Sequence, residues 1–270
     1  MHTVPETLGI IAGSGAYPAT MAGAARRAGV GRIVVAAFVN ETNPELEPFA
    51  DAWEWLKVGH LGKLSRFLRH HGVKNAVMCG QIAPKNLFAL SPDFRLLIML
   101  AKLKERNAES LFGGIADELA KDGITLLPAT LFLEDHLPPA GHVCGPPRKA
   151  RELEDAAFGL KIARETSRLD IGQTVVVRRG TVLAVEAFEG TNECIKRGGA
   201  LGQGKATVVK VSKPGQDFRF DVPVVGPLTI ETAARAGVRI VAVEAGRTLL
   251  LEREETARLC AEHGVSLIAV

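Results

Sequence analysis

The chain is poor in the residues that mark several common functions. Its four cysteines, Cys79, Cys144, Cys194 and Cys260, are scattered over 270 residues with no CxxC pair. That spacing offers neither a zinc knuckle nor a redox motif and reads as reduced thiols in a cytosolic protein. There is one tyrosine, and no basic block is interleaved with stacking aromatics, so the net charge of +3 carries no nucleic-acid footprint. HExxH, Gly-x-Ser-x-Gly and the P-loop lysine motif are all missing, which counts against a zinc hydrolase, a serine esterase and an NTPase. The apolar runs, residues 96–101 among them, are far short of the ~20 residues that span a bilayer. Residues 1–7 lack the basic and apolar regions of a signal peptide.

What is present describes a folded α/β protein. Apolar residues make up 47% and charged residues 23%, enough for a core without disulfide staples. An apolar run at 8–12 meets Gly13-Ser14-Gly15, and a small-residue helix over 19–28 is closed by Gly29. Strands are predicted at 33–38, 76–79 and 124–127, with helices at 61–70, 94–106 and 115–121. Such alternation predicts a mostly parallel sheet. Residues 137–148 then carry Pro138, Pro139, Gly141, Gly145, Pro146 and Pro147, which suits a linker. Beyond it come a helix at 152–166, a hairpin of 174–177 with 182–187, a short helix after Thr191, strands at 206–211, 239–243 and 266–270, and helices at 229–236 and 253–262. The expected division is therefore a first α/β domain over 1–135, a linker over 136–149 and a second α/β domain over 150–270. Val182-Leu183-Ala184-Val185-Glu186-Ala187 echoes Ile240-Val241-Ala242-Val243-Glu244-Ala245, too briefly to be a repeat.

Three segments could carry chemistry. Gly13-Ser14-Gly15, between a strand and a helix, reads as a phosphate or nucleotide contact or as a plain tight turn, because Pro18 replaces the third glycine of the dinucleotide fingerprint. Val39-Asn40 supplies no acidic ribose ligand, which counts against NAD. In the segment 213–223, Pro214-Gly215 forces a turn. If 217–221 is extended, Asp217, Arg219 and Asp221 share one face while Phe218 and Phe220 anchor the other. A carboxylate holds Mg²⁺ or orients water, and an arginine grips phosphate; an amphipathic edge strand explains the same pattern. Glu186-Ala187-Phe188-Glu189-Gly190-Thr191-Asn192, at a strand's carboxyl end, offers Glu189 as a metal ligand and the Gly190-Thr191 N–H groups to phosphate, or simply Thr191 or Asn192 as an N-cap. Apart from these, residues 84–104 are both apolar and basic. Lys85, Leu87, Phe88, Leu90, Phe94, Leu97, Ile98 and Lys102 suit acyl chains or an anionic membrane, or a core or dimer helix.

Taken in order, Ile11-Ala12-Gly13-Ser14-Gly15, Leu169-Asp170-Ile171-Gly172-Gln173, Ala184-Val185-Glu186-Ala187 with Glu189-Gly190-Thr191, Lys213-Pro214-Gly215-Gln216-Asp217-Phe218-Arg219-Phe220-Asp221-Val222-Pro223 and Val243-Glu244-Ala245-Gly246 resemble the UDP-2,3-diacylglucosamine pyrophosphatases of the LpxI type. The resemblance spans nearly the whole chain. It implies a Rossmann-like N-terminal lid domain, a linker and a C-terminal α/β catalytic domain in a homodimer. It also implies hydrolysis to UMP and 2,3-diacylglucosamine 1-phosphate in lipid A biosynthesis, with Mg²⁺ or a similar divalent cation. The enzyme would be cytoplasmic and in peripheral contact with the inner membrane. The essential aspartate matches Asp221. Asp217 then supports the metal beside it, Arg219 neutralises phosphate charge and Gln216 orients phosphate or water. Gly13, Ser14, Gly15, Lys213, Glu189, Gly190, Thr191 and Asn192 make up the substrate-binding set. Asn192 stands where family members often have aspartate, a weaker ligand for a hard cation. A non-catalytic nucleotide-sugar or lipid-phosphate binding protein is the competing class, and an oxidoreductase or transferase a third.

Overall fold

The computed structural model describes residues 4–82, 92–103 and 108–270. Lys85, Leu87, Phe88, Leu90 and Lys104, and the predicted end of the 94–106 helix, lie outside them. Contacts divide the chain into two compact units, residues 1–133 with 217–221, and residues 134–216 with 222–270.

The first unit is an open sheet of five parallel strands. These are β1 (Thr7–Ala12), β2 (Arg32–Phe38), β3 (Ala52–Leu56), β4 (Asn75–Cys79) and β5 (Thr125–Leu126), in the order β3-β2-β1-β4-β5. That is the order of a Rossmann-type sheet through its fifth strand. The central strands read as near-continuous apolar runs because both faces are covered. Helix α1 (Tyr17–Arg27) buries Met21, Ala22 and Ala25. Helix α2 (Leu61–His70) presents Leu61, Leu64, Phe67 and Leu68 at helical spacing to a core. Helices α3 (Phe94–Lys102) and α4 (Ala108–Lys121) add Leu96, Met99, Ala116 and Leu119 to it.

One ionic cluster ties α2, α3 and α4 together. Arg95 pairs with Glu118 (3.0 Å) and with Asp122, which also receives the Ser65 hydroxyl. The Ser65 hydrogen bond and then Arg95 hold Asp122 below its ordinary carboxyl range. Lys121 first and then Arg95 do the same for Glu118. Because both folded-state values are depressed, their stabilisation is complete above the ordinary values of 3.8 and 4.5 and is lost as pH falls through the folded ones. Arg95→Ala should cost about 2–3 kcal/mol at pH 7 and flatten the acid limb of a pH–denaturation series. An unchanged acid limb would place the acid sensitivity elsewhere.

The second unit is a mixed six-stranded sheet in the order β6-β13-β11-β9-β7-β8. Its members are β6 (Gly141–Cys144), β7 (Thr174–Arg178), β8 (Thr181–Val185), β9 (Ala206–Lys210), β11 (Val238–Val243) and β13 (Ser266–Ala269), and β10 (Val224–Val225) pairs separately with β12 (Leu249–Leu250). The valines of β7 divide between two cores. Val175 and Val177 face helix α5 (Ala150–Arg168), while Val176 packs with helices α6 (Thr191–Leu201), α7 (Pro227–Arg235) and α8 (Arg253–His263).

Strands β9, β11 and β13 run parallel, β7 runs against β9, and β8 runs against β7. Thr174 therefore lies opposite Lys210, and Val185 opposite Val175. The residues after β8, after β9 and after β11, and those before β7, all emerge at one edge of the sheet. Four of the sequence segments singled out above share that edge.

The expectation of an extended 217–221 segment is corrected. The amides of Phe220 and Asp221 both donate to the Asp217 carbonyl (3.2 and 3.1 Å), making a turn. The Asp217 carboxylate also accepts from the Arg219 amide at 3.0 Å. A short acceptor side chain that captures a nearby backbone donor favours a turn over a strand.

Candidate active site

On the edge of the second unit, charge is ordered by pairing. Ser212, just beyond β9, donates its amide (3.1 Å) and hydroxyl (2.6 Å) to Glu244, just beyond β11. Arg164 of α5 donates to the other Glu244 oxygen at 3.0 Å. Burial alone would raise the Glu244 pKa, but Ser212 and Arg164 pull it below the ordinary range. Lys213 pairs with Asp170, and the Lys213 amide donates to Gln216 Oε1 at 2.7 Å. Gln216 is 8% exposed, and its Nε2 has no hydrogen-bond partner among the described residues. A buried amide donor left without an acceptor costs free energy and is an opening for a ligand acceptor.

The segment after β8 is arranged differently from its expected ligand role. Glu189 accepts from the Ala187 amide (3.1 Å) and from Arg197 (2.5 Å), and Arg197 chiefly holds its carboxyl below the ordinary range. Gly190, at φ +83°, is the N-cap of α6, and Thr191 and Asn192 are its first residues. The Thr191 hydroxyl donates to Glu186 Oε1 at 3.0 Å. Among the described residues, no three histidine, cysteine, aspartate or glutamate side chains come together as a metal site.

In the first unit, Asp217 and Arg219 hold each other. Arg219 Nε lies 3.0 and 2.9 Å from the two Asp217 oxygens, and Nη2 lies 2.6 Å from one of them. The arginine is the main reason that Asp217 sits below its ordinary pKa. A hard divalent cation needs those same oxygens. As arranged, the pair Asp217 and Asp221 does not present a ready ligand set. The Phe218 carbonyl accepts from the Ala129 amide at 2.7 Å, and the Phe220 ring lies 5.6 Å from that of Phe112.

Phe220 also lines a pocket with about 820 Å³ of empty space, its open mouth included, at the carboxyl ends of β1 to β4. Open α/β sheets bind ligands there. The walls are mostly apolar, among them Phe38, Leu61, Leu64, Leu96 and Ile115, with His60 as an exception. Gly13 of the glycine turn borders the same pocket, and two amides of the turn are taken by backbone. The Gly13 amide donates to the Cys79 carbonyl and the Ser14 amide to the Gln81 carbonyl, both at 2.8 Å. A Cβ on Gly13 would lie 2.5 Å from the Gln81 carbonyl oxygen. Gly13→Ala should therefore lower stability by about 2–3 kcal/mol, read by thermal denaturation. A full loss of nucleotide affinity with an unchanged melting temperature would instead restore the phosphate reading.

Sequence reasoning singled out Gln216, Lys213 and Thr191, placed Glu186 at the head of the third candidate segment without giving it a role, and gave none to Gln173 or Glu244. The signal that pointed to two of these was the Val-Glu-Ala echo, which ends β8 and β11 at the same sheet edge.

The chain matches the LpxI N-terminal domain over residues 7–136 and the LpxI C-terminal domain over residues 139–268. It is 32% identical over 274 aligned positions, 97% of each chain, to a Caulobacter vibrioides protein named UDP-2,3-diacylglucosamine pyrophosphatase LpxI. A phosphoribosylglycinamide synthetase from Anaerococcus prevotii aligns over 68% of this chain and 39% of its own, at 12% identity and a TM-score of 0.26, a likeness too weak to bear on function. With one relative along its whole length and both domain models in order, the chain belongs to the LpxI family.

Proposed function

We propose that this chain hydrolyses the pyrophosphate bond of UDP-2,3-diacylglucosamine, adding one water to give UMP and 2,3-diacylglucosamine 1-phosphate in lipid A biosynthesis. The observation that carries the reading is the match to a pyrophosphatase of that name along 97% of both chains. The orphaned amide of Gln216 supports it, since a phosphoryl oxygen is the kind of acceptor it lacks. In this reading Asp221 orients the attacking water. Asp217 fixes the plane of the Arg219 guanidinium through Nε and Nη2, which presents the cation to a phosphoryl oxygen. Lys213, Glu189, Gly190, Thr191 and Asn192, and Gly13 to Gly15, are the proposed substrate-binding residues.

The test is incubation of the protein with UDP-2,3-diacylglucosamine in detergent micelles, with UMP followed by chromatography. Release of UMP is expected, and saturable binding without release would make the chain a carrier instead. The resemblance implies a magnesium ion, for which Asp217, held by Arg219, and Asp221 present no ready ligand set. Chelation by EDTA should abolish turnover if that ion is required and leave the rate unchanged if it is not.

Peripheral attachment to the cytoplasmic face of the inner membrane, and a homodimer, belong to the same proposal. Among the described residues, no helix is long and apolar enough to cross a membrane. Helix α3 exposes Phe94 (78%), Leu97 (49%) and Ile98 (41%) at i, i+3 and i+4, one stripe beside Lys102. Burying each side chain in lipid is worth roughly 1.5–3 kcal/mol. Phe94→Glu with Leu97→Glu should reduce co-sedimentation with anionic vesicles at least about tenfold. Equal sedimentation of variant and parent would remove α3 from membrane contact.

A further inference from the structure

Two glutamates that end echoing strands differ in their partners. Glu244, after β11, has both oxygens engaged by Ser212 and Arg164. Glu186, after β8, is 8% exposed and accepts the Thr191 hydroxyl, at 3.0 Å on Oε1. Its Oε2 is buried and receives no donor among the described residues. The same holds for Oε1 of Gln173, the residue before Thr174, whose carbonyl takes the Glu186 amide at 2.8 Å. Glu186 is held from the other side by the 169–173 turn. A Cβ on Gly172 would lie 2.1 Å from the Glu186 carbonyl oxygen and 3.0 Å from its Cβ. The result is a buried carboxylate oxygen without a donor among the described residues at the carboxyl edge of the sheet, on backbone held by the 169–173 turn.

A carboxylate oxygen repels phosphate and takes a hydroxyl hydrogen, as acidic residues do at ribose in α/β folds. We propose that Glu186 is a specificity-determining residue that accepts a hydrogen bond from a sugar hydroxyl of the substrate. This rests on the reading under Proposed function. Two sugars of that substrate carry hydroxyls, the ribose of the nucleotide and the glucosamine ring, and the shared chemistry is a hydroxyl donor.

The experiment compares the full-length wild-type chain, Glu186→Gln and Glu186→Ala on UDP-2,3-diacylglucosamine. The same three proteins are then tested with the 2′-deoxyribose, 4-deoxyglucosamine and 6-deoxyglucosamine versions of that substrate. For wild type, one deoxy analogue should lose about 10- to 100-fold in kcat/KM, mostly in KM. That penalty should shrink to within about threefold in Glu186→Ala, and the analogue that shows it identifies the sugar. Thermal melts of both variants report folding, and Glu186→Asp, which keeps the carboxylate but withdraws it by one carbon, takes their place in the comparison if neither folds. No penalty for any analogue in wild type, or the same penalty in wild type and variant, overturns the inference while turnover stands. Absence of turnover by wild type overturns the hydrolase reading and this inference with it.

Discussion

Asp221→Asn should lower the rate of UMP release by about 10³-fold while leaving the melting temperature within a few degrees of wild type. The substitution keeps the size and the backbone turn, in which the residue 221 amide donates to the Asp217 carbonyl at 3.1 Å. It removes only the charge and one strong acceptor. Asp217 cannot take over, because Arg219 occupies both of its oxygens. Residue 221 is half-buried, so its loss of charge leaves no deep cavity behind. A variant with more than a tenth of wild-type activity would take Asp221 out of the mechanism. A variant that fails to fold would make the residue structural. Arg219 serves as the internal control. Its removal frees Asp217 and should raise KM more than it lowers kcat, as expected for a group that grips phosphate in both ground and transition states.

The second large effect belongs to Gly172→Ala. Any Cβ there would meet the Glu186 carbonyl carbon at 2.6 Å and its oxygen at 2.1 Å, both fixed backbone atoms. Relief requires the 169–173 turn or the end of β8 to move. Over-packing against backbone costs about 3 kcal/mol or somewhat more, a fall of roughly 6–12 °C in melting temperature for a unit of this size. Because the displaced segment carries Glu186 and Thr191, activity of the folded fraction should fall as well. A melting temperature within 2 °C of wild type would mean that this turn is softer than its geometry states.

The elements that were plain in the sequence are those whose pattern comes from burial. Helix α2 was expected over 61–70 and forms over Leu61–His70, because Leu61, Leu64, Phe67 and Leu68 repeat at one helical period. β1, β2, β4 and β11 are apolar runs that end at turns, as buried parallel strands are. β3 was missed because Ala-Trp-Glu-Trp-Leu lies at the sheet edge with most of its residues partly exposed, so no burial pattern marks it. The two-residue strands β10 and β12 are too short to carry any period.

At the site, side-chain capture of the backbone decided the outcome. Asp217-Phe218-Arg219-Phe220-Asp221 alternates as a strand would, yet the Asp217 carboxylate takes the Arg219 amide and folds the segment into a turn. The contact division of the chain falls inside the same motif, with Lys213 to Gln216 in one unit and Asp217 to Asp221 in the other. No periodicity could report that, since it depends on which neighbours each half packs against. Glu186 headed a candidate segment but was given no role in it, for a related reason. A glutamate after a strand of valines looks like an exposed end, and only the structure shows one of its oxygens buried without a donor.

The central claim is that this chain cleaves a diphosphate through residues 213–221. Phosphorus NMR of the full-length protein with UDP-2,3-diacylglucosamine tests it most directly. The account predicts that the paired diphosphate resonances give way to two phosphomonoester resonances of equal intensity, UMP and 2,3-diacylglucosamine 1-phosphate, and that Asp221→Asn halts the change. Diphosphate resonances that persist under saturating binding, or conversion at the wild-type rate by Asp221→Asn, would contradict it.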